Sequence, residues 1–91
     1  MAKRVIPTKA PNLDLPVNMI RLGELVRSKR TSLDLTIENA ASLCGVSKQA
    51  LSNIELGFES VKMETMFKVI KQLGISLWFE NKKKEADDDW F

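Results

Sequence analysis

In the run Ser47 to Glu55, the side chains of Lys48, Gln49, Ser52 and Asn53 are polar and Leu51 and Ile54 are apolar. If the run is helical, Leu51 and Ile54 turn inward and the four polar residues stand outward, where packing does not need them. Their common chemistry is recognition. Glutamine and asparagine amides suit adenine, lysine suits guanine, and serine serves any base edge. On an unremarkable helix the same residues would be a solvated face, so the reading depends on the elements around them. Nothing else in the chain forms a reactive set. There is no histidine and only one cysteine, Cys44, which removes the usual zinc sites and histidine acid–base chemistry. A Gly-rich phosphate loop is missing too. The chain reads as a non-enzyme without catalytic residues, metal or cofactor.

The elements that must position these four residues are short helices. Thr36 is a good N-cap for one helix, Gly45 ends it, and Ser47 caps the next. Ala40, Ala41 and Cys44 give the first of these a small-residue face that lets another helix cross closely. Val46 plugs the turn between them. Upstream, Leu22, Leu25, Val26 and the stem of Lys29 follow helical spacing from Val17–Met19 to Ser32–Asp34, with Arg21, Arg27 and Arg30 more polar. Most of these cations are expected to face solvent. Asp34 stands where a left-handed residue would end that helix. Downstream, Met63, Met66, Phe67, Ile70 and Leu73 form the apolar face of another helix, with Glu64 favoured in its first turn and Gly74 at its end. After Gly74 the period changes to two: Ile75, Leu77 and Phe79 alternate with Ser76, Trp78 and Glu80, the pattern of a strand. A lone strand needs a partner, and the chain offers none, so Ile75, Leu77, Trp78 and Phe79 are expected to pair with a second copy.

The expected fold is all-α, a compact bundle of four to five helices with one short C-terminal strand that pairs across a dimer. Residues 1–18, which carry all three prolines, form an extended arm, disordered over residues 1–10. Residues 19–80 form the folded and dimerising domain. Residues 81–91 form a flexible acidic tail ending in aromatics.

Here the chain resembles the phage-repressor-like helix-turn-helix family (XRE/Cro). The resemblance runs over residues 19–77, through Leu22-Gly23-Glu24, the pair of helices around Gly45, Glu55-x-Gly57, and Met63-Glu64-Thr65 on to Leu73-Gly74-Ile75-Ser76-Leu77. It implies that the second helix of the motif enters the major groove and that Lys48, Gln49, Ser52 and Asn53 touch bases. It also implies phosphate contacts from Thr36 and Ser47 at the two helix starts and from Ser60 and Lys62 further on. Arg30 and Glu55 are implied as a buried ion pair. Ile37 stands where many relatives carry a glutamine that grips a phosphate.

Length and charge agree with such a protein. Ninety-one residues make one domain, and 44% hydrophobic with 29% charged residues is a globular composition. The net charge is +2, but residues 1–84 hold 14 basic against 8 acidic side chains, a net +6, and four acids fall in the last seven residues. A basic body points to a polyanion, here double-stranded DNA with a palindromic operator read by a homodimer. The acidic tail, with Trp90 and Phe91 at its end, points to a protein surface instead. Strand and tail together resemble HipB-type antitoxin repressors, which implies a HipA-like kinase toxin as partner and an operon that represses itself. A stand-alone phage-type repressor, an antitoxin of a different toxin class and a protein-interaction module on the same fold are the alternatives. No signal peptide or membrane span is legible, and Cys44 reads as a buried free thiol, which together suggest the cytoplasm.

Overall fold

The computed structural model describes residues 4–81. Its four helices are α1 (Met19–Ser32), α2 (Ile37–Cys44), α3 (Lys48–Glu55) and α4 (Met63–Gln72). Three of the four starts are capped by the residue type that the physics of orphan N–H groups favours. Asn18 Oδ1 accepts from Arg21 N at 2.8 Å, Thr36 Oγ1 from Asn39 N at 3.1 Å, and Ser47 Oγ from Ala50 N at 3.0 Å. The start of α4 has Lys62 at the cap position and no side-chain cap, with Glu64 in the first turn to meet the helix dipole. Asp34 holds φ at 60°, the one non-glycine left-handed residue among those described, and so turns the chain out of α1.

The four helices close on one core. Leu22 and Val26 of α1, Ala40, Ala41 and Cys44 of α2, Leu51 and Ile54 of α3, and Met66, Val69 and Ile70 of α4 are buried, with Leu73 just beyond. Leu51, Ile54, Val26 and Val69 have no exposed surface at all, so truncating Leu51 to alanine would cost about 2–5 kcal/mol in transfer and cavity terms. Burial pushes the Cys44 thiol above its ordinary pKa and keeps it protonated, as befits a packing residue. α1 crosses α3 at Gly23. A Cβ there would run into the Ile54 carbonyl oxygen and stand 3.1 Å from that of Glu55. Glycine is therefore required by the approach of two backbones, in the middle of a helix where alanine would otherwise be preferred.

Two expectations need correction. Met63 and Phe67 do not belong to the core: they are 60% and 49% exposed, while Val69, overlooked as a core position, is fully buried. Met66, Val69, Ile70 and Leu73 make the inward stripe, and Phe67 sits about 100° round the helix from Met66. The arm is not a free leader over residues 4–10. Thr8 N donates to Thr31 Oγ1 at 3.0 Å, which lays this stretch along α1. Arg30 is buried, unlike Arg27 of the same helix, which is exposed. The strand expected over residues 75–80 is not formed among the described residues. Ile75 N donates to the Ile70 carbonyl at 2.8 Å and its side chain packs on the core, after which the chain runs on without a ladder partner.

Candidate nucleic-acid interface

The turn between α2 and α3 is built from backbone bonds. Gly45 takes φ 71°, Gly45 N donates to the Ser42 carbonyl at 3.2 Å, and Val46 N donates to that of Ala41 at 3.0 Å. That pair of bonds ends α2 in a left-handed residue, and Val46 then tucks against the core. Open space surrounds the place a Gly45 Cβ would occupy, so the backbone angle alone selects glycine here. Ala40 and Ala41 are buried on one side of the turn, Leu51 and Ile54 on the other. The crossing of the two helices is thereby set, and with it the outward direction of α3.

On that outward side Lys48 and Gln49 are exposed and Ser52 and Asn53 half-buried. Gln49 Nε2 donates to Asn53 Oδ1 at 2.9 Å. This bond holds two amides one helical turn apart in a fixed mutual orientation. It leaves the Gln49 carbonyl and the Asn53 amino group to face a base pair, an acceptor and a donor of the kind adenine matches. Lys48 Nζ lies 3.0 Å from Glu38 Oε2, with both side chains well exposed. Such a pair contributes at most about 1 kcal/mol, so the ammonium can exchange its carboxylate for a base or phosphate at little cost.

Thr36 and Ser47 each use a hydroxyl oxygen to cap a helix. The hydroxyl hydrogens are left to donate, which is the chemistry a phosphate oxygen asks for. Ser60 and Lys62 lie exposed in the connection from α3 to α4 and at the start of α4. Ile37, beside Thr36, packs against the core as a partly buried hydrophobe. Its replacement of a phosphate-gripping glutamine is therefore matched by a packing role.

Behind α3, Arg30 and Glu55 meet in a two-bond fork. Arg30 Nε donates to Glu55 Oε2 at 2.6 Å, and Nη2 to Oε1 at 3.0 Å. A third donor, Nη1, reaches the Leu35 carbonyl at 2.8 Å. One guanidinium thus ties the end of α1, the loop before α2 and the end of α3. The pair is largely shielded, with 11% and 7% of the two side chains exposed. Removing one partner would strand the other and cost about 3–5 kcal/mol. Thr31, next along, donates to the Arg27 carbonyl at 2.9 Å, the local back-bond of a helical threonine, and accepts from Thr8 N, a partnership not legible in the sequence because residues 8 and 31 share no local pattern.

Two helices joined by a glycine turn, the second presenting polar side chains outward and locked from behind, have the geometry of a groove-reading unit. A family model described as helix-turn-helix matches residues 26–77. The chain belongs to the helix-turn-helix family. It is a DNA-binding transcription regulator, and α3 is the second helix of the two-helix unit within the matched residues. No individual curated protein matches the chain. Among the described residues no helix is long and apolar enough to cross a membrane.

The helix-turn-helix unit gathers Lys48, Gln49, Ser52 and Asn53 onto one helix, with Thr36 and Ser47 at adjoining helix starts. It does not gather Ile75, Leu77, Trp78 and Phe79. Ile75 is half-buried, whereas Trp78 and Phe79 stand almost fully in solvent, at 88% and 102% exposure. Trp90 and Phe91 lie outside the described residues.

Proposed function

We propose that this regulator is a sequence-specific repressor that binds a palindromic operator as a homodimer. The observation that carries the reading is the Gln49–Asn53 amide pair on the outward face of a helix capped at Ser47. Lys48, Gln49, Ser52 and Asn53 contact bases; Thr36, Ser47, Ser60 and Lys62 contact phosphates. Dimerisation is supported by the apolar surface left around the last described residues. Phe67, Ile70, Ile75 and Leu77 line a groove of about 430 Å³, and Trp78 and Phe79 follow it with no apolar cover among the described residues. A second copy pairing antiparallel over residues 75–80 would satisfy the edge and set two recognition helices on one face of the duplex.

The finer role is that of an antitoxin that represses its own operon and binds a HipA-like kinase toxin. Its support is compositional: three aspartates precede Trp90 and Phe91 in a tail that DNA would repel, while the body carries the positive charge. Tryptophan is typical of binding hot spots. Selection of bound sequences from a random duplex pool tests the first level. A two-fold symmetric site is expected, with Gln49→Ala and Asn53→Ala each weakening it by about 1–3 kcal/mol and leaving folding unchanged. Wild-type affinity in both variants would rule out this docking. Co-purification from the native host tests the second level. A kinase-like partner that is lost when residues 86–91 are removed is the expected result, and partner binding indifferent to that deletion would remove the tail from the interface.

A further inference from the structure

The start of the described chain lies close to the reading unit. The bond from Thr8 N to Thr31 Oγ1 clips the arm to the buried side of α1 near its C-terminal end. Upstream of this clip, Arg4, Val5 and Ile6 line a groove of about 490 Å³. Thr36 at the start of α2 and Ser52 on α3 line the same groove. A cation of the arm is therefore brought beside one residue proposed for phosphate contact and one proposed for base contact.

The charges in this groove are unevenly committed. Of its two carboxylates, Glu55 holds Arg30 and Glu38 lies 3.0 Å from Lys48 Nζ. Arg4 and Arg27 line it as well; both are exposed, and among the described residues neither has an ion-pair partner. With Glu55 held by Arg30, the two guanidinium groups of Arg4 and Arg27 outnumber the one remaining carboxylate, Glu38, and a groove of that balance, opening next to the reading helix, fits the phosphate backbone of the duplex that the helix reads.

We propose that the N-terminal arm is a second DNA contact: Arg4, with Arg27 beside it, neutralises backbone phosphate at the edge of the site read by α3, and the Thr8–Thr31 bond holds it there. The contact rests on the DNA docking proposed above. It positions and adds affinity, and it reads no base.

Equilibrium binding to the selected operator and to a random duplex, each measured over a range of salt concentrations, tests it. Arg4→Ala is expected to weaken both by a similar several-fold factor. The salt slope should fall by about 0.9, the value for one phosphate contact. Thr31→Val, which removes the acceptor of the clip, should act in the same direction and add little in the Arg4→Ala background. Thermal melting of Arg4→Ala should match the wild type, since Arg4 is exposed. Gln49→Ala is the control, expected to lose operator preference with the slope retained. Wild-type affinity and slope in Arg4→Ala and Arg4→Glu, with Gln49→Ala still impaired, would overturn the arm contact and leave the docking intact. Unchanged binding in all three would overturn the docking itself. Loss of operator preference in Arg4→Ala without a change of slope would replace a phosphate role by a base-reading one and so also overturn the proposal.

Discussion

Two surfaces of this small protein are made from opposite materials. Around α3 the outward residues are lysine, glutamine, serine and asparagine, each with hydrogen-bonding capacity to spare and each on an element capped and locked from behind. Along α4 and the chain that follows it the outward residues include Met63, Phe67, Leu77, Trp78 and Phe79, apolar groups with little local structure to hold the last of them. The first surface is finished by its own chain and needs only a ligand. The second leaves Trp78 and Phe79 almost fully exposed, and under the proposed assembly a second copy would cover them. Rigidity therefore sits where base contact is proposed, and incompleteness where assembly is proposed.

The strongest way to break this contrast is to unlock the rigid side. Glu55→Ala leaves Arg30 buried beside an empty site, and a loss of about 3–5 kcal/mol in unfolding free energy is expected by denaturant titration. A loss below about 1 kcal/mol would mean that the two-bond fork, at 2.6 and 3.0 Å, contributes only as an exposed pair would. Gly23→Ala probes the same crossing from the backbone side. Helix propensity alone favours alanine by about 1 kcal/mol. The contact with the Ile54 carbonyl opposes it, and overpacking of a tight site costs about 1–3 kcal/mol. A net destabilisation of about 1–2 kcal/mol is expected from these opposing terms, and a raised melting temperature would show that α1 and α3 can separate freely.

The cap of the reading helix has a smaller expected effect. Ser47→Ala removes the acceptor for Ala50 N and should cost about 1 kcal/mol of stability. Because Ser47 is also proposed to meet a phosphate, DNA affinity should fall by more than the thermal shift explains. Equal loss in both measurements would confine Ser47 to capping. On the apolar side, Ile75→Pro removes the N–H that donates to the Ile70 carbonyl and blocks strand pairing. Sedimentation should show dissociation of the dimer with the helical signal largely retained. A wild type that is monomeric at working concentrations would make the two surfaces alike in needing no second copy.

Much of the reading unit was legible because its determinants are local. Thr36 and Ser47 cap as their types demand, Gly45 takes the left-handed angle of a helix end, Asp34 does the same where α1 stops, and Leu51 and Ile54 point inward from the spacing of one short helix. Elsewhere the same rules fell short. Met63 and Phe67 match a helical apolar pattern as well as Met66 and Ile70 do, yet only the placement of α4 against its neighbours decides which edge of the stripe is covered. The arm looked like disorder because three prolines forbid a helix, and a single hydrogen bond to Thr31 leaves no periodic trace. Residues 75–80 alternate like a strand, but alternation describes a face and not a partner, and among the described residues there is none to pair with.

What the sequence determined by itself was the kind of parts: four to five short helices, of which four form among the described residues, the turn between α2 and α3, and a polar outward face on α3. Each follows from residues a few positions apart, through caps, φ preferences and helical spacing. The tertiary structure decided how the parts meet. Arg30 and Glu55 are 25 positions apart and Thr8 and Thr31 are 23 apart. Gly23 matters only because another helix crosses there, and Glu38 reaches Lys48 only because two helices start near each other. Such contacts depend on the relative placement of whole elements, which core packing sets, and no local pattern of residues encodes that placement in legible form.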